Sequence, residues 1–213
     1  MSTLICFALR EEAAPFRKIA AGRAGISLLL TGIGRENAAK AVREFLAVAA
    51  GSPPALVLTC GFAGGLDPDL KLGDVVFETA DENLRGKLLA AGVKTTKFFC
   101  ADRIATTIAE KKKLRVETGA DAVEMESAAI QAVCAEQKIP CATVRVISDT
   151  AGEDLPLDFN ALAKPDKNLD FGKLLFAVAT SPGKIPQLLA LQRKTKFAAE
   201  QLAAVLERMV GAG

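Results

Sequence analysis

The chain predicts an α/β fold, a three-layer α/β/α sandwich around a central sheet that is largely parallel or mixed. Three observations predict it. From Leu4 to Ser148, short β-branched or apolar runs alternate with alanine-rich stretches of helical spacing. Glycine, proline or charge bounds each run, as expected for strands buried on both faces. At 213 residues, half of them hydrophobic, the chain is long enough for one well-buried core and too short to require two. A single domain over residues 1–213 is therefore expected, with 165–213 as a C-terminal helical extension.

The elements follow in order. Leu4–Leu9 is an apolar run that stops at Arg10, so it reads as a strand, with a helix from Glu11 to Ala20 after it. Ile26–Thr31 is a second strand, ended by Gly32, and Arg35–Ala50 carries apolar residues at helical spacing. Pro53 and Pro54 precede a third strand, Ala55–Cys60; Gly73 precedes a fourth, Asp74–Thr79. Asn83–Ala91, Arg103–Lys112 and Ser127–Glu136 read as helices, Lys97–Cys100 and Ala120–Met125 as further short strands, and Cys141–Ser148 as the last strand. After Asp158 the pattern changes. Lys164–Asn168 is a turn-rich connector to two helices, Leu169–Thr180 and Ile185–Met209, with Ser181-Pro-Gly183 between them. In the second, Leu188, Leu191, Leu202, Val205 and Met209 form a stripe suited to packing on the domain.

Composition narrows the function. The 27 basic and 25 acidic residues nearly cancel, which leaves no basic field for a nucleic-acid backbone. No apolar run reaches the roughly 18 uncharged residues of a spanning helix. The N-terminus lacks a basic start and a small-residue cleavage site, so no signal peptide and a cytoplasmic location are expected. Five cysteines without a Cys-x-x-Cys pair read as reduced, buried thiols, and no metal or other cofactor is expected. There is no histidine. Proton transfer near neutral pH thus falls to Asp, Glu, Lys or Cys.

Two glycine-rich turns close predicted strands. Thr31-Gly-Ile-Gly34 has the first half of a dinucleotide fingerprint, but Asn37 stands where its third glycine would be, and no acidic residue follows at the required distance. Cys60-Gly-Phe-Ala-Gly-Gly-Leu66 is the second, where the backbone can approach a ligand closely. If these turns and Asp149 all lie at carboxyl ends of strands in one sheet, they converge on one crevice, joined by Glu12 after the first strand.

Leu-Arg-Glu-Glu12, Thr-Gly-Ile-Gly34, Cys-Gly-Phe-Ala-Gly-Gly-Leu66 with Gly73-Asp74, Val-Glu-Met-Glu126 and Ile-Ser-Asp149, in that order, resemble the nucleoside phosphorylase and nucleosidase superfamily. The resemblance covers residues 3–160 and is strongest to the branch containing methylthioadenosine/S-adenosylhomocysteine nucleosidase. It implies a phosphorylase/hydrolase-like fold. The region Met1–Pro156, with the tail Phe171-Gly-Lys-Leu-Leu-Phe to Ser-Pro-Gly-Lys-Ile-Pro-Gln-Leu-Leu-Ala190, resembles the hopanoid-associated nucleoside phosphorylase-like proteins, which implies adenosylhopane as a substrate.

The resemblance implies roles for named residues. Asp149 would protonate the departing purine at N7, with Ser148 orienting it. An aspartate titrates near 3.9 in water, so keeping its proton at neutral pH demands about 4 kcal/mol of environmental bias. Glu126 would accept hydrogen bonds from both ribose hydroxyls, with Met125 along the sugar, Glu124 as a weaker candidate on the same strand face, and Gly34, Gly61 and Phe62 completing the binding surface. Glu12 would take a proton from the attacking water. Each acid also has a plainer reading: Asp149 as a cap after a buried strand, Glu126 and Glu12 as first-turn helix acids.

Two features depart from the family pattern. Phe62 stands where many members carry a serine, which removes a hydroxyl that would meet phosphate or water and favours hydrolysis over phosphorolysis. Arg10 and Arg35, beside the first two turns, are the cations that a phosphate would call on. The base-stacking aromatic is replaced by Arg103 and Ile104, leaving Phe62, Phe98 or Phe99 to stack on the base. The expected ligand is a small-molecule nucleoside, with phosphate as a second ligand if the enzyme is a phosphorylase. The resemblance also implies a homo-oligomer. A non-catalytic nucleoside-binding protein is the competing class.

Overall fold

The computed structural model describes residues 2–162 and 182–211. Its elements are β1 (Thr3–Phe7), α1 (Arg10–Ala20), β2 (Ile26–Leu30), α2 (Arg35–Val48), β3 (Leu56–Gly65), β4 (Val75–Glu78), α3 (Glu82–Ala90), β5 (Lys94–Thr95), β6 (Phe98–Cys100), α4 (Ile108–Thr118), β7 (Ala122–Glu124), α5 (Ser127–Glu136), β8 (Cys141–Asp149) and α6 (Ile185–Gly211). The sheet runs β2-β1-β3-β8-β4-β5, with β7 pairing the far end of β3, and β6 pairing β7. β2, β1, β3 and β8 are parallel, while β4 meets β8 and β7 meets β3 antiparallel. The sheet is therefore mixed.

Alternation along β1 shows why three layers form. Ile5 and Phe7 face one side, where they join Phe16 of α1, Leu84 and Leu88 of α3, and Ala198, Leu202 and Leu206 of α6. Leu4 and Cys6 face the other, against Val42 and Leu46 of α2 and Ile130 and Val133 of α5. Burying both faces of the strands is what a crossover-connected sheet requires. The long helix α6 is thus part of the main core. Four cysteines are buried, Cys141 is half-buried, and all five are free. Among the described residues no helix is long and apolar enough to cross a membrane.

Several expectations shift. The third strand does not stop at Cys60: it continues through the glycines to Gly65, because β8 on one side and β7 on the other still pair with it there. The helix expected over Arg103–Lys112 instead spans Ile108–Thr118. The Thr107 hydroxyl accepts from the Glu110 amide, while the Glu110 carboxylate accepts from the Thr107 amide, and this reciprocal cap fixes the start. Residues 103–107 become a loop. The short β5 was not anticipated. The connector Lys164–Asn168 and the helix Leu169–Thr180 lie outside the described residues.

Candidate active site

Parallel β1, β3 and β8 end on the same side, and their carboxyl ends open onto a cavity of about 250 Å³. Glu12, Phe62, Glu124, Met125, Glu126, Ser148 and Asp149 all line it. Sequence reasoning had picked out these seven, and the fold brings them together.

Glu12 is the third residue of α1, and its carboxylate reaches back to the helix start. Oε2 accepts from the Leu9 amide at 2.8 Å, and Oε1 accepts from the Phe62 amide at 2.8 Å. It is 4% exposed, whereas its neighbour Glu11 is on the surface. Burial pushes the Glu12 carboxyl up to about 7, against the pull of Arg145 and the two amides. A base poised at that value exchanges protons readily near neutral pH.

Glu126 is the residue from which α5 starts, and its side chain turns away from the helix: Oε1 accepts from the Gly34 amide at 2.8 Å. Burial raises its carboxyl above the usual range. Glu124 is committed differently. Its Oε2 accepts from the amides of Glu126 and Ser127 and from Arg145, and its Oε1 accepts from the Ser127 hydroxyl at 2.6 Å. Burial works against its charge, but Arg145, the Ser127 hydroxyl and the two amides outweigh that and hold it below the usual range. Its side chain organises the turn that presents Glu126 while lining the cavity beside it.

Arg145, in the middle of β8, was not singled out from the sequence. It is 1% exposed, with Nη2 at 2.7 Å from Glu124 Oε2, 3.2 Å from Glu126 Oε2 and 3.1 Å from the Thr59 hydroxyl. A charged residue inside an apolar strand was the available signal, because such a residue has to be paired. Burial disfavours its charge, but Glu124, Glu126 and Glu12 more than compensate and raise it above the ordinary arginine range.

Gly61 makes room for this cluster. It does not line the cavity, its φ is 146°, and a Cβ there would fall 2.6 Å from Glu12 Oε1 and 2.8 Å from Arg145 Nη1. Gly34 likewise touches Glu126 through its amide while Ile33 lines the wall.

Asp149 ends β8. The β3–β8 register slips between Ala63 and Gly64, so that Ala63 pairs with Ile147 and Gly64 with Asp149, which leaves Ser148 as the extra residue. The Ser148 hydroxyl donates to Asp149 Oδ1 at 2.8 Å. Lys111 Nζ lies 2.5 Å from Asp149 Oδ2 and is fully buried, a second residue that sequence reasoning missed.

The remaining wall is mostly apolar. Arg103, Ile104 and Ala105 come from the loop before α4, Leu155 and Phe159 from the segment after β8, and Leu191 and Thr195 from α6. Of the expected stacking candidates only Phe62 lines the cavity. Phe98 and Phe99 pack against core clusters, and Phe159 is an aromatic that was not anticipated. Arg103 is bound to Glu110, and Arg35 is bound to the Cys100 carbonyl and lies 3.5 Å from Asp102, so neither guanidinium is free of a partner. Arg10 is exposed.

The phosphorylase superfamily matches residues 8–82 and 77–178. The chain belongs to the phosphorylase superfamily. Among curated members of that family, it is 38% identical over 104 residues to the aminodeoxyfutalosine nucleosidase of Campylobacter jejuni, covering 47% of this chain but only 43% of that protein. It is 30% identical over 174 residues to the 5′-methylthioadenosine/S-adenosylhomocysteine nucleosidase of Marinomonas sp., covering 65% of this chain and 74% of the relative. Solved members share the fold. The nucleosidase of Neisseria meningitidis, in complex with methylthio-immucillin-A, superposes with a TM-score of 0.75 at 21% identity, over 100% of this chain and 99% of that one. The futalosine hydrolase of Helicobacter pylori gives 0.74 at 19% identity, over 100% and 98%.

Proposed function

We propose that this superfamily member hydrolyses the N-glycosidic bond of an adenine nucleoside bearing a 5′ substituent. The observation that carries the reading is the meeting of Glu12, Glu126 and Asp149 in one cavity. In the proposed reaction Asp149, oriented by Ser148, delivers a proton to purine N7 as the bond from the sugar to N9 breaks and its electron pair moves into the base. Positive charge develops on the ribose beside Glu126, which holds the 2′- and 3′-hydroxyls, with Met125 along the sugar face. Glu12 takes a proton from the water that attacks the sugar. The acidic surroundings act where positive charge develops, the kind of fixed electrostatics that lowers a barrier.

Water is favoured over phosphate for a structural reason. A phosphate dianion calls for converging cations. Arg103 and Arg35 are engaged elsewhere, and Phe62 offers the cavity a ring instead of a hydroxyl. The curated relatives, named as nucleosidases, agree with hydrolysis. In the finest version of the proposal the substituent is a lipid and the substrate an adenosyl lipid such as adenosylhopane; the apolar side chains of Leu155, Phe159 and Leu191 support a greasy occupant. Five free cysteines fit a reducing compartment, the cytoplasm. The proposal extends to a single catalytic domain acting as a homo-oligomer.

The test is adenine release from methylthioadenosine, adenosine and an adenosyl lipid, with and without phosphate, by parent protein and Asp149→Asn. Release without phosphate that falls by about 10²–10⁴ in the variant is expected. A strict phosphate requirement would make the protein a phosphorylase, and binding without any turnover would make it a nucleoside-binding protein. Preference for the lipid, weakened by Leu191→Asp more than turnover of adenosine is, would support the apolar substituent.

A further inference from the structure

Lys111 is out of place by every general rule. Lysine is rarely buried, yet this side chain has no exposure at all, whereas the adjacent Lys112 and Lys113 are on the surface. It lies in the first turns of α4, where the helix dipole disfavours a cation. All three of its N–H donors are used: one at the Thr150 carbonyl at 2.7 Å, one at the Glu153 carbonyl at 2.9 Å, and one facing Asp149 Oδ2 at 2.5 Å. The lysine therefore ties the carboxyl of Asp149 to the turn that follows β8. Oδ1 is fixed from the other side by the Ser148 hydroxyl.

We propose that Lys111 is a positioning residue for leaving-group protonation, holding the Asp149 carboxyl in place and stabilising the negative charge left on it when its proton passes to the base. The inference rests on Asp149 being the acid, as proposed above. In that step the proton moves from the Asp149 carboxyl to the base nitrogen, the glycosidic electron pair moves into the base, and Asp149 becomes a carboxylate. A buried ammonium in direct contact opposes that new charge without any reorganisation, so its stabilisation grows as the proton leaves. Glu12, Glu124 and Glu126, at the other end of the cavity, have no such partner of their own and share Arg145.

The experiment compares two leaving groups in the full-length protein. Adenine needs a proton to depart, whereas 4-nitrophenolate leaves as an anion and needs none. Rates are measured on methylthioadenosine and on the 4-nitrophenyl glycoside of the same 5-methylthioribose, for parent, Lys111→Met, Lys111→Arg, Asp149→Asn and the Lys111→Met/Asp149→Asn double variant. In Lys111→Met the ratio of the adenine rate to the nitrophenolate rate should fall about 10²-fold, the lower end of what a general acid supplies. Lys111→Arg should recover at least tenfold of that ratio, and the double variant should be no slower on methylthioadenosine than Asp149→Asn alone. An unchanged ratio, or losses that multiply in the double variant, would overturn the proposal and leave Lys111 as a structural tie. Should Lys111→Met not fold, with the Thr150 and Glu153 carbonyls unpaired, the ratio in Lys111→Gln, a neutral side chain that can still donate to a carbonyl, decides: a fall relative to parent supports the inference and parity overturns it. Asp149→Asn separates the two readings. If that variant leaves the ratio intact, the assignment of Asp149 has failed, not only that of Lys111.

Discussion

The two ends of the cavity solve the problem of buried charge in opposite ways. At one end three carboxylates, Glu12, Glu124 and Glu126, share a single guanidinium, Arg145. At the other, one acid, Asp149, faces its own ammonium, Lys111. The first end sets three acids against one cation and the second sets one against one. In the proposed reaction the difference separates two electrostatic tasks within one cavity: negative potential where a sugar cation would form, compensation where a proton would be handed over. It also explains why the three acids at the first end differ. Arg145 and the start of α5 satisfy Glu124, so its charge is held, while burial wins at Glu12 and Glu126.

The comparison can be broken most forcefully at Arg145. Arg145→Met strands three buried carboxylates and should lower stability by about 3–5 kcal/mol near pH 8. The loss should shrink at pH 5.5 as Glu12 and Glu126 take up protons. Urea unfolding at the two values reads it directly, and a loss independent of pH would mean that the guanidinium matters by packing alone.

Glu12 gives the next largest effect. Its carboxyl, raised in the fold from an ordinary 4.5 to about 7, favours the folded state fully below its unfolded value; that contribution is lost as pH rises through 7. The sum is about 3 kcal/mol, which Glu126 reinforces in sign and Glu124 opposes. The same group must be ionised to accept a proton, so kcat/KM should climb with pH and level off above about 7. Glu12→Gln should lose turnover by about 10²–10⁴ and flatten the stability profile. A rate that is flat from pH 5.5 to 8 would sink this assignment.

Phe62→Ser should have the smallest effect. Its Glu12 contact is made by the backbone amide, which the substitution keeps. A new hydroxyl is worth about one net hydrogen bond and the lost ring about one aromatic contact, so phosphate-free turnover should change by about tenfold. A gain of phosphate dependence would show that the ring alone excludes the anion.

Much of this contrast was legible in the sequence, and the rest was hidden for identifiable reasons. Apolar runs marked six of the eight strands closely, and the acids at their ends converge because the parallel strands between them end on one side. Lys111 was hidden by an error in register. Thr107-x-x-Glu110 carries a capping signature, but a helix over Arg103–Lys112 places Lys111 in its last turn, where a lysine is ordinary. Arg145 was visible as a charge within an apolar run and was passed over. The commitment of Glu124 could not be read from alternation along β7, because the chain bends at Glu126 to begin α5 and its backbone amides turn toward the carboxylate. Phe159 lies beyond the last strand, where no periodicity tells which way a side chain faces.

The helix α6 carries a consequence for how the molecule comes into being. Its residues Ala198, Leu202 and Leu206 share a core with Phe16, one turn along α1 from Glu12, although nearly the whole chain separates them. The helix that carries Glu12 therefore waits for α6 before its own support is complete, and loop closure over such a span is slow to repay its entropy. A nascent chain stalled ahead of Ile185 would hold every proposed catalytic side chain yet lack the layer that α6 packs over the helix carrying Glu12.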